Sequence, residues 1–377
     1  MIARHILFCL EQSYGHIVPT IGMALEIMRR GHRVTYTTTP EFASAIVRCG
    51  ANACVYRPLE TRQRFLSPYI QRDGGYSFNV HDTKFISHAM KLRKERTAHS
   101  LVQLESLLRD DKPAVIIHDN TLDAVGSALA RRLSIASIRH VPHVLRADDI
   151  PKFSGERLIL VGVPKFFVTA SERFDERFEF IGFIPEGRAR FFESRGALDT
   201  VNDRILACPT TGLLPQIEFC KLVIDAFADQ AWELVLSLST QLDPASWIDK
   251  RTIPRLPGNF KLNSGFSNLD ILECCRLLVG QGGSGSTLEA LYCGVPVVLI
   301  PASPFHEAIA SRTVELGAGR SLAPSEISPE ALRQAAADLL ADTKCLDRVK
   351  EIQKHLRANQ GAERATDLIE SFMSARC

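Results

Sequence analysis

A chain of 377 residues that is 45% hydrophobic and 23% charged has enough apolar material for two globular domains, each with its own core. Its formal net charge of +2 gives no electrostatic case for nucleic acid or an acidic partner. The ten cysteines are scattered, with no CxxC pair and no histidine spacing suited to zinc; Cys274 and Cys275 are adjacent on a predicted helix and do not fit one disulfide framework, so reduced thiols and a cytoplasmic setting are expected.

The chain runs directly into a predicted strand, Arg4–Leu10, without an apolar signal region or cleavage site, and no stretch reaches the roughly 18 apolar residues of a spanning helix. A turn at Glu11–Gly15 leads to a helix predicted over Ile17–Arg30 from its apolar spacing, stopped by Gly31, and a strand returns at Arg33–Thr38. Strand, helix and strand in that order predict a parallel β-α-β unit, and Ala114–His118, Leu122–Leu133 and Ala136–Val141 repeat it. Between Glu60 and Val80 the pattern breaks into a segment rich in aromatics, Arg and Gly, including Tyr69, Tyr76 and Phe78, which reads as a surface loop beside a binding cleft or as an excursion with no role. A long amphipathic stretch follows, from about His81 to Arg109.

Periodicity fades again at about 184–203, which divides the chain into an N-terminal domain over 1–190 and a C-terminal domain over 203–377. In the second half, strands are predicted at Arg204–Ala207, Glu233–Leu238, Phe260–Asn263, Arg276–Val279 and Val297–Ile300, with helices between. Ser328-Pro329-Glu330 marks a helix start and Gly361–Met373 a final helix, one able to pack back on the first domain. Two α/β halves of similar size imply a cleft between them.

Leu278–Pro301 carries the densest chemistry, reading as strand, glycine-rich turn, helix, turn and strand. Gly280, Gly282, Gly283 and Gly285 let the backbone turn tightly and approach a ligand, and the next helix points unpaired N–H groups and roughly half a positive charge at the loop. The pattern fits neither GxxxxGK[ST] nor a helix-opening Gly-x-Gly-x-x-Gly. Ser286-x-x-Glu289 also has the form of a capping box, so helix initiation alone is an alternative for both residues.

The run GGSGSTLEALYCGVPVVLIP, followed by ASRTVELGAG, resembles the donor-binding signature of the family 1 glycosyltransferases, in particular their bacterial macrolide-glycosyltransferase branch. The resemblance implies a GT-B architecture of two facing Rossmann-like α/β domains. It also implies that Gly282, Gly283, Gly285, Ser286 and Thr287 hold a donor diphosphate and that Glu289 holds ribose hydroxyls. GHIVPTIGMALEIMRRGHRVTYTTTPEF is similar to the family's opening, in which the histidine of the GHxxP run is the general base; here that is His16. Its place just beyond a parallel strand is where open α/β sheets put ligands, although a lone histidine also serves as a helix-start or core residue. PAVIIHD resembles the strand that ends in the base's aspartate partner, which points to Asp119, with Asp123 as second choice and an N-cap as the plain alternative for either. Thr210 and Thr211, in the loop after the first strand of the second half, are candidates for the diphosphate or for a structural turn. Tyr69, Tyr76, Phe78, His140 and His143 are the acceptor-side candidates.

Three departures fall on the donor side. Gln281 stands where the family has histidine, and it adds no charge. Gly265 replaces the usual base-stacking tryptophan, leaving Phe266 and Asn268 as candidate readers of the base. Phe305-His306 replaces an acidic residue and glutamine that read sugar hydroxyls, which points to a less hydroxylated sugar or another pose. The resemblance implies inverting transfer from a UDP- or dTDP-sugar to a hydroxyl or amine of a small molecule. It implies no cofactor, no metal, no nucleic acid and no transmembrane segment, in a monomer or homodimer. A lipid-carrier transferase of the cell-wall type and a non-catalytic nucleotide-sugar-binding protein are the alternatives.

Overall fold

The structure, a computed structural model, describes residues 3–59, 83–119, 125–192, 203–209, 216–238, 256–263, 265–301 and 303–375. Two wholly parallel sheets organise it. The first comprises β1 (His5–Cys9), β2 (Arg33–Thr38), β3 (Asn52–Val55), β4 (Val115–His118), β5 (Ala136–Val141), β6 (Ile159–Val161) and β7 (Phe178–Phe180), in the order β3-β2-β1-β4-β5-β6-β7. The second comprises β8 (Arg204–Cys208), β9 (Glu233–Leu236), β10 (Phe260–Leu262), β11 (Leu277–Gly280), β12 (Val297–Leu299) and β13 (Gly319–Ser321), in the order β10-β9-β8-β11-β12-β13. Their central strands, HILFC in β1 and LLVG in β11, are buried at every position. Helices cover both faces of a parallel sheet, so its strands read as unbroken apolar runs.

Each sheet reverses its strand order beside its first strand. β1 pairs with both β2 and β4, and β8 pairs with both β9 and β11. Open α/β sheets hold ligands in the crevice at such a reversal, here outside the carboxyl ends of β1 and β4 and of β8 and β11. This topology places the GHIVP segment next to Asp119 and the glycine-rich loop next to Cys208.

On one face of the first sheet, Ile17, Ile21, Ile27, Phe42 and Ile46 pack with Ile369 and Met373 of the terminal helix, Gly361–Ser374; Leu101, Leu104, Val125 and Leu129 cover the other. A further core is continuous between the halves, joining Val141, Val144, Phe167 and Phe183 to Val279, Leu288 and Ile300. Asn359 Nδ2 donates to the carbonyls of Ile181 and Phe183 at 2.9 and 3.2 Å, which fastens the connection between the sheets to the chain just before the terminal helix. Among the described residues no helix is long and apolar enough to cross a membrane.

Several elements differ from the sequence expectation. The helix expected over Ile17–Arg30 is divided into a single turn at Tyr14–Ile17, a 3-10 turn at Val18–Thr20 and a helix at Ile21–Arg29. Pro19 lacks the N–H that a continuous helix would use, and Thr20 Oγ1 donates to the Ile17 carbonyl at 2.8 Å instead. Cys274 and Cys275 lie in the turn after the short helix Asn268–Leu272 rather than on a helix. The nine described cysteines are all free. Asp123 lies outside the described residues.

Candidate active site

β1 delivers the chain to Glu11 and the turn that carries His16, while β4 ends one residue before Asp119. Both Asp119 oxygens are used. Oδ2 lies 2.7 Å from His16 Nδ1, and Oδ1 accepts the Glu11 backbone N–H at 2.9 Å. Asp119 is 3% exposed, so its charge is desolvated and directed at the imidazole. A carboxylate on Nδ1 fixes the tautomer that carries its proton there and leaves Nε2 as the basic nitrogen. Nε2 lies 3.8 Å from Glu11 Oε2, a charge that would stabilise the imidazolium formed by proton uptake.

The glycine-rich loop follows β11 and feeds the helix Ser284–Cys293. Gly282 has φ +83°, and a Cβ there would lie 2.8 Å from the His306 carbonyl oxygen, so this glycine shapes the loop against the next helix. Among the described residues nothing lies within 4 Å of where a Cβ of Gly285 would stand. The capping-box alternative is not what forms. Gly283 is the N-cap, and Ser286 and Glu289 both lie within the helix, with Ser286 Oγ donating to the Gly283 carbonyl at 3.3 Å. Thr287 is fully buried, and its Oγ1 has no hydrogen-bond partner among the described residues; Gln281 is also buried.

Glu289 is held from two sides. Arg188, from the short helix Arg188–Phe192 between the sheets, donates through Nη1 to Oε1, and Asn268 Nδ2 donates to Oε2 at 3.4 Å. Asn268 in turn accepts from Ser237 Oγ at 2.7 Å, which ties this network to the end of β9. Asn263 Oδ1 accepts the Phe266 N–H at 3.0 Å and its Nδ2 donates to the Phe266 carbonyl at 2.8 Å, so the Gly265-Phe266 turn is clamped.

The two carboxyl ends meet. The Val144 N–H, beyond β5, donates to Ser284 Oγ at 3.4 Å. The His143 ring stands edge-on to Phe305 at 5.3 Å, and 6.4 Å from the His16 ring. Phe305 is 40% exposed, whereas His306 is buried and turns Nδ1 to Ser303 Oγ at 3.1 Å. His140 is buried, and among the described residues neither of its ring nitrogens has a hydrogen-bond partner. Burial pushes His140 down to about 4 and His143 down to about 3 against the opposing pull of the Asp119 carboxylate, so both are neutral at physiological pH.

His16, Asp119, His140 and His143 thus cluster on one side, with Phe305 opposite and the loop of Gly282, Gly283, Ser284 and Gly285 beside it. Thr210, Thr211, Tyr69, Tyr76 and Phe78 lie outside the described residues. Arg188, Glu11 and Ser284 were not foreseen. The signal for Arg188 was weak, one of several arginines in an aperiodic linker. Among the described residues no group of three or more His, Cys, Asp or Glu side chains is placed to hold a metal ion.

Two parallel α/β sheets with apposed carboxyl ends, a His–Asp pair on one and a glycine loop with a helix N-terminus on the other, define a GT-B type of transferase. The family described as "Erythromycin biosynthesis protein CIII-like, C-terminal domain" matches residues 221–370. The chain is 30% identical to an NDP-glycosyltransferase of Bacillus licheniformis, YjiC, over 98% of both chains. It is 27% identical to a demethyllactenocin mycarosyltransferase of Streptomyces fradiae, covering 98% of this chain and 87% of that one. The structure overlays on the kitacinnamycin glycosyltransferase with a TM-score of 0.77 at 25% identity, covering 98% of this chain and 99% of the other. It overlays on the calicheamicin glycosyltransferase CalG4 with a TM-score of 0.73 at 26% identity, covering 99% of both. The chain belongs to the macrolide branch of the family 1 glycosyltransferases and is a glycosyltransferase of the GT-B fold.

Proposed function

We propose that the enzyme transfers a sugar from a UDP- or dTDP-sugar to a hydroxyl or amine of a small natural-product acceptor, in one displacement with inversion at the anomeric carbon. The observation that carries this reading is the 2.7 Å contact between His16 Nδ1 and Asp119 Oδ2 beside the meeting of the two sheet ends. Relatives named for demethyllactenocin, kitacinnamycin and calicheamicin support an acceptor of that class.

In the proposed step the acceptor oxygen attacks the anomeric carbon and its proton passes to His16 Nε2. The bond from that carbon to the diphosphate oxygen breaks, and its electron pair leaves with the nucleoside diphosphate. Asp119 holds the imidazolium, as the aspartate does in hydrolytic triads. The first-turn N–H groups of Ser284–Cys293 and the positive end of its dipole take up charge developing on the leaving group. No cofactor enters this scheme. The non-catalytic alternative is disfavoured by a buried aspartate committed to orienting a histidine that such a protein would not need.

His16→Ala should lower kcat by roughly 10²–10⁴-fold while leaving nucleotide affinity intact, because the base acts on the acceptor proton. Turnover with a natural-product panel and calorimetry with UDP and dTDP measure the two separately. A variant as active as the parent with an unchanged pH profile would refute the assignment, as would retention of the donor's anomeric configuration in the product.

A further inference from the structure

Arg188 is the largest unassigned charge near the donor loop. It is 4% exposed, its guanidinium lies 4.7 Å from the Phe183 ring centroid, and its Nε donates to the Ile184 carbonyl at 3.3 Å. These contacts fix the side chain to the connection between the sheets and spend its remaining fork on Glu289, which is itself 6% exposed. A buried charge survives only when paired and hydrogen-bonded. We propose that Arg188 is a positioning residue for the donor: reaching from the interdomain connection, it keeps the Glu289 carboxyl ionised and oriented to accept from the ribose hydroxyls. The assignment rests on the functional reading above, in which Glu289 faces the ribose.

The chemistry follows from donors and acceptors. The ribose of UDP has two hydroxyls that can donate to a carboxylate and the deoxyribose of dTDP has one, whereas a protonated carboxyl turns one oxygen into a competing donor. Burial pushes Glu289 above the ordinary glutamate range, and Arg188 first, then Asn268, pulls against it. The other titratable neighbours do not compensate. The thiols of Cys208 and Cys293 are pushed up to about 12 by burial and stay neutral, Asp270 and Glu273 lie toward Cys293 on the side of the Asn268–Leu272 helix, and Arg357 of the Thr343–Arg357 helix is stacked on Tyr292 instead. Among the described residues Arg188 is therefore the cation on which the ionised state depends.

The binding form is the deprotonated one, so affinity is full above the Glu289 pKa and falls as pH drops through it. Removing Arg188 moves that fall upward. UDP or dTDP affinity, whichever the wild type binds, should be measured by calorimetry from pH 6 to 8. The wild type should change less than about threefold, Arg188→Met should lose at least about tenfold more affinity at pH 6 than at pH 8, and Arg188→Lys should restore a flat profile. A folded Arg188→Met with the wild-type affinity and slope overturns the proposal, as does a flat loss shared equally by Met and Lys, which would mark a space-filling role. If Arg188→Met does not fold, the wild-type preference for the nucleotide it binds over the form without sugar hydroxyls, UDP over 2′,3′-dideoxyuridine diphosphate or dTDP over 3′-deoxythymidine diphosphate, carries the test. A constant preference from pH 8 to 6 supports the proposal, and its collapse over that interval overturns it. A wild type that binds no nucleoside diphosphate refutes the functional reading itself, whereas normal wild-type binding with an indifferent Arg188→Met refutes only the role of Arg188.

Discussion

His16, His140 and His143 lie around Asp119, yet only His16 is shown hydrogen-bonded to it. His140 is 1% exposed with both nitrogens unpartnered among the described residues, and its folded pKa of about 4 lies below the value near 6.5 of an unfolded histidine. Between those values the unfolded chain binds the extra proton, so stability rises with pH across the window and is lost as pH falls toward 4. His140 alone should withdraw about 2 kcal/mol by pH 5. Melting temperatures of the wild type and His140→Leu between pH 7 and 4.5 check this: the wild type should fall more steeply, and parallel curves would contradict it. Because His140 and His143 remain neutral, the acid limb of a kcat/KM profile should report His16 without contribution from either.

Helices and strands with long apolar signals were legible in the sequence, and so was the loop between β11 and its helix. HILFC and VIIH are buried throughout and RVTYTT is buried after its exposed Arg33, as a parallel sheet requires, so β1, β2 and β4 lie within a residue of expectation. Of the strands not anticipated, β3, β7 and β13 (NACV, FEF and GRS) lack the unbroken apolar run that made the equally short VIIH and VVL legible, and β6 (ILV) has such a run but no predicted helix before it to mark a β-α-β unit. At the site, local motifs announced His16, Asp119 and the glycines. The partnership of Arg188 with Glu289 spans 101 residues, and only the folded topology creates it. Ser286-x-x-Glu289 misleads in the other direction: the helix begins two residues before Ser286, at Ser284, since Gly283 takes the extended N-cap conformation. The loop's geometry is itself testable through Gly282. An alanine there must adopt φ +83° and push against the His306 carbonyl. Gly282→Ala should cost roughly 1–3 kcal/mol and weaken nucleotide binding, read by chemical denaturation and calorimetry. Unchanged stability and affinity would show that the loop does not depend on this turn.

At the scale of the whole molecule the halves are interlocked. Besides the shared core, Arg30 pairs with Asp367 and Glu370 and His32 Nε2 lies 3.0 Å from Glu370, so the terminal helix is bound to the first sheet's layer although it follows the second in sequence. This interlock sets the span between His16 and the glycine loop, and the sugar of a donor would occupy that span. Its side wall is built from both halves, by His143 beyond β5 and Phe305 at the start of the helix Pro304–Glu315. Neither is a carboxylate or carboxamide. Phe305 is 40% exposed and turned to His143 rather than into the core, while His306 has turned its ring to Ser303. A hydroxyl-rich sugar would leave a hydroxyl unpaired against the phenyl ring at a cost of about 1–3 kcal/mol. A deoxysugar would set a methyl or bare carbon there without that penalty. The expected preference is for a deoxysugar donor over UDP-glucose, by roughly 5- to 150-fold in kcat/KM if that whole cost falls on the transition state. Phe305→Asp should narrow or reverse the ratio by restoring an acceptor for sugar hydroxyls. Competition between UDP-glucose and a panel of deoxysugar donors, with one acceptor and both proteins, decides the matter. UDP-glucose as the best donor of the wild type would refute this account of the wall, and a ratio unmoved by Phe305→Asp would place the sugar away from it.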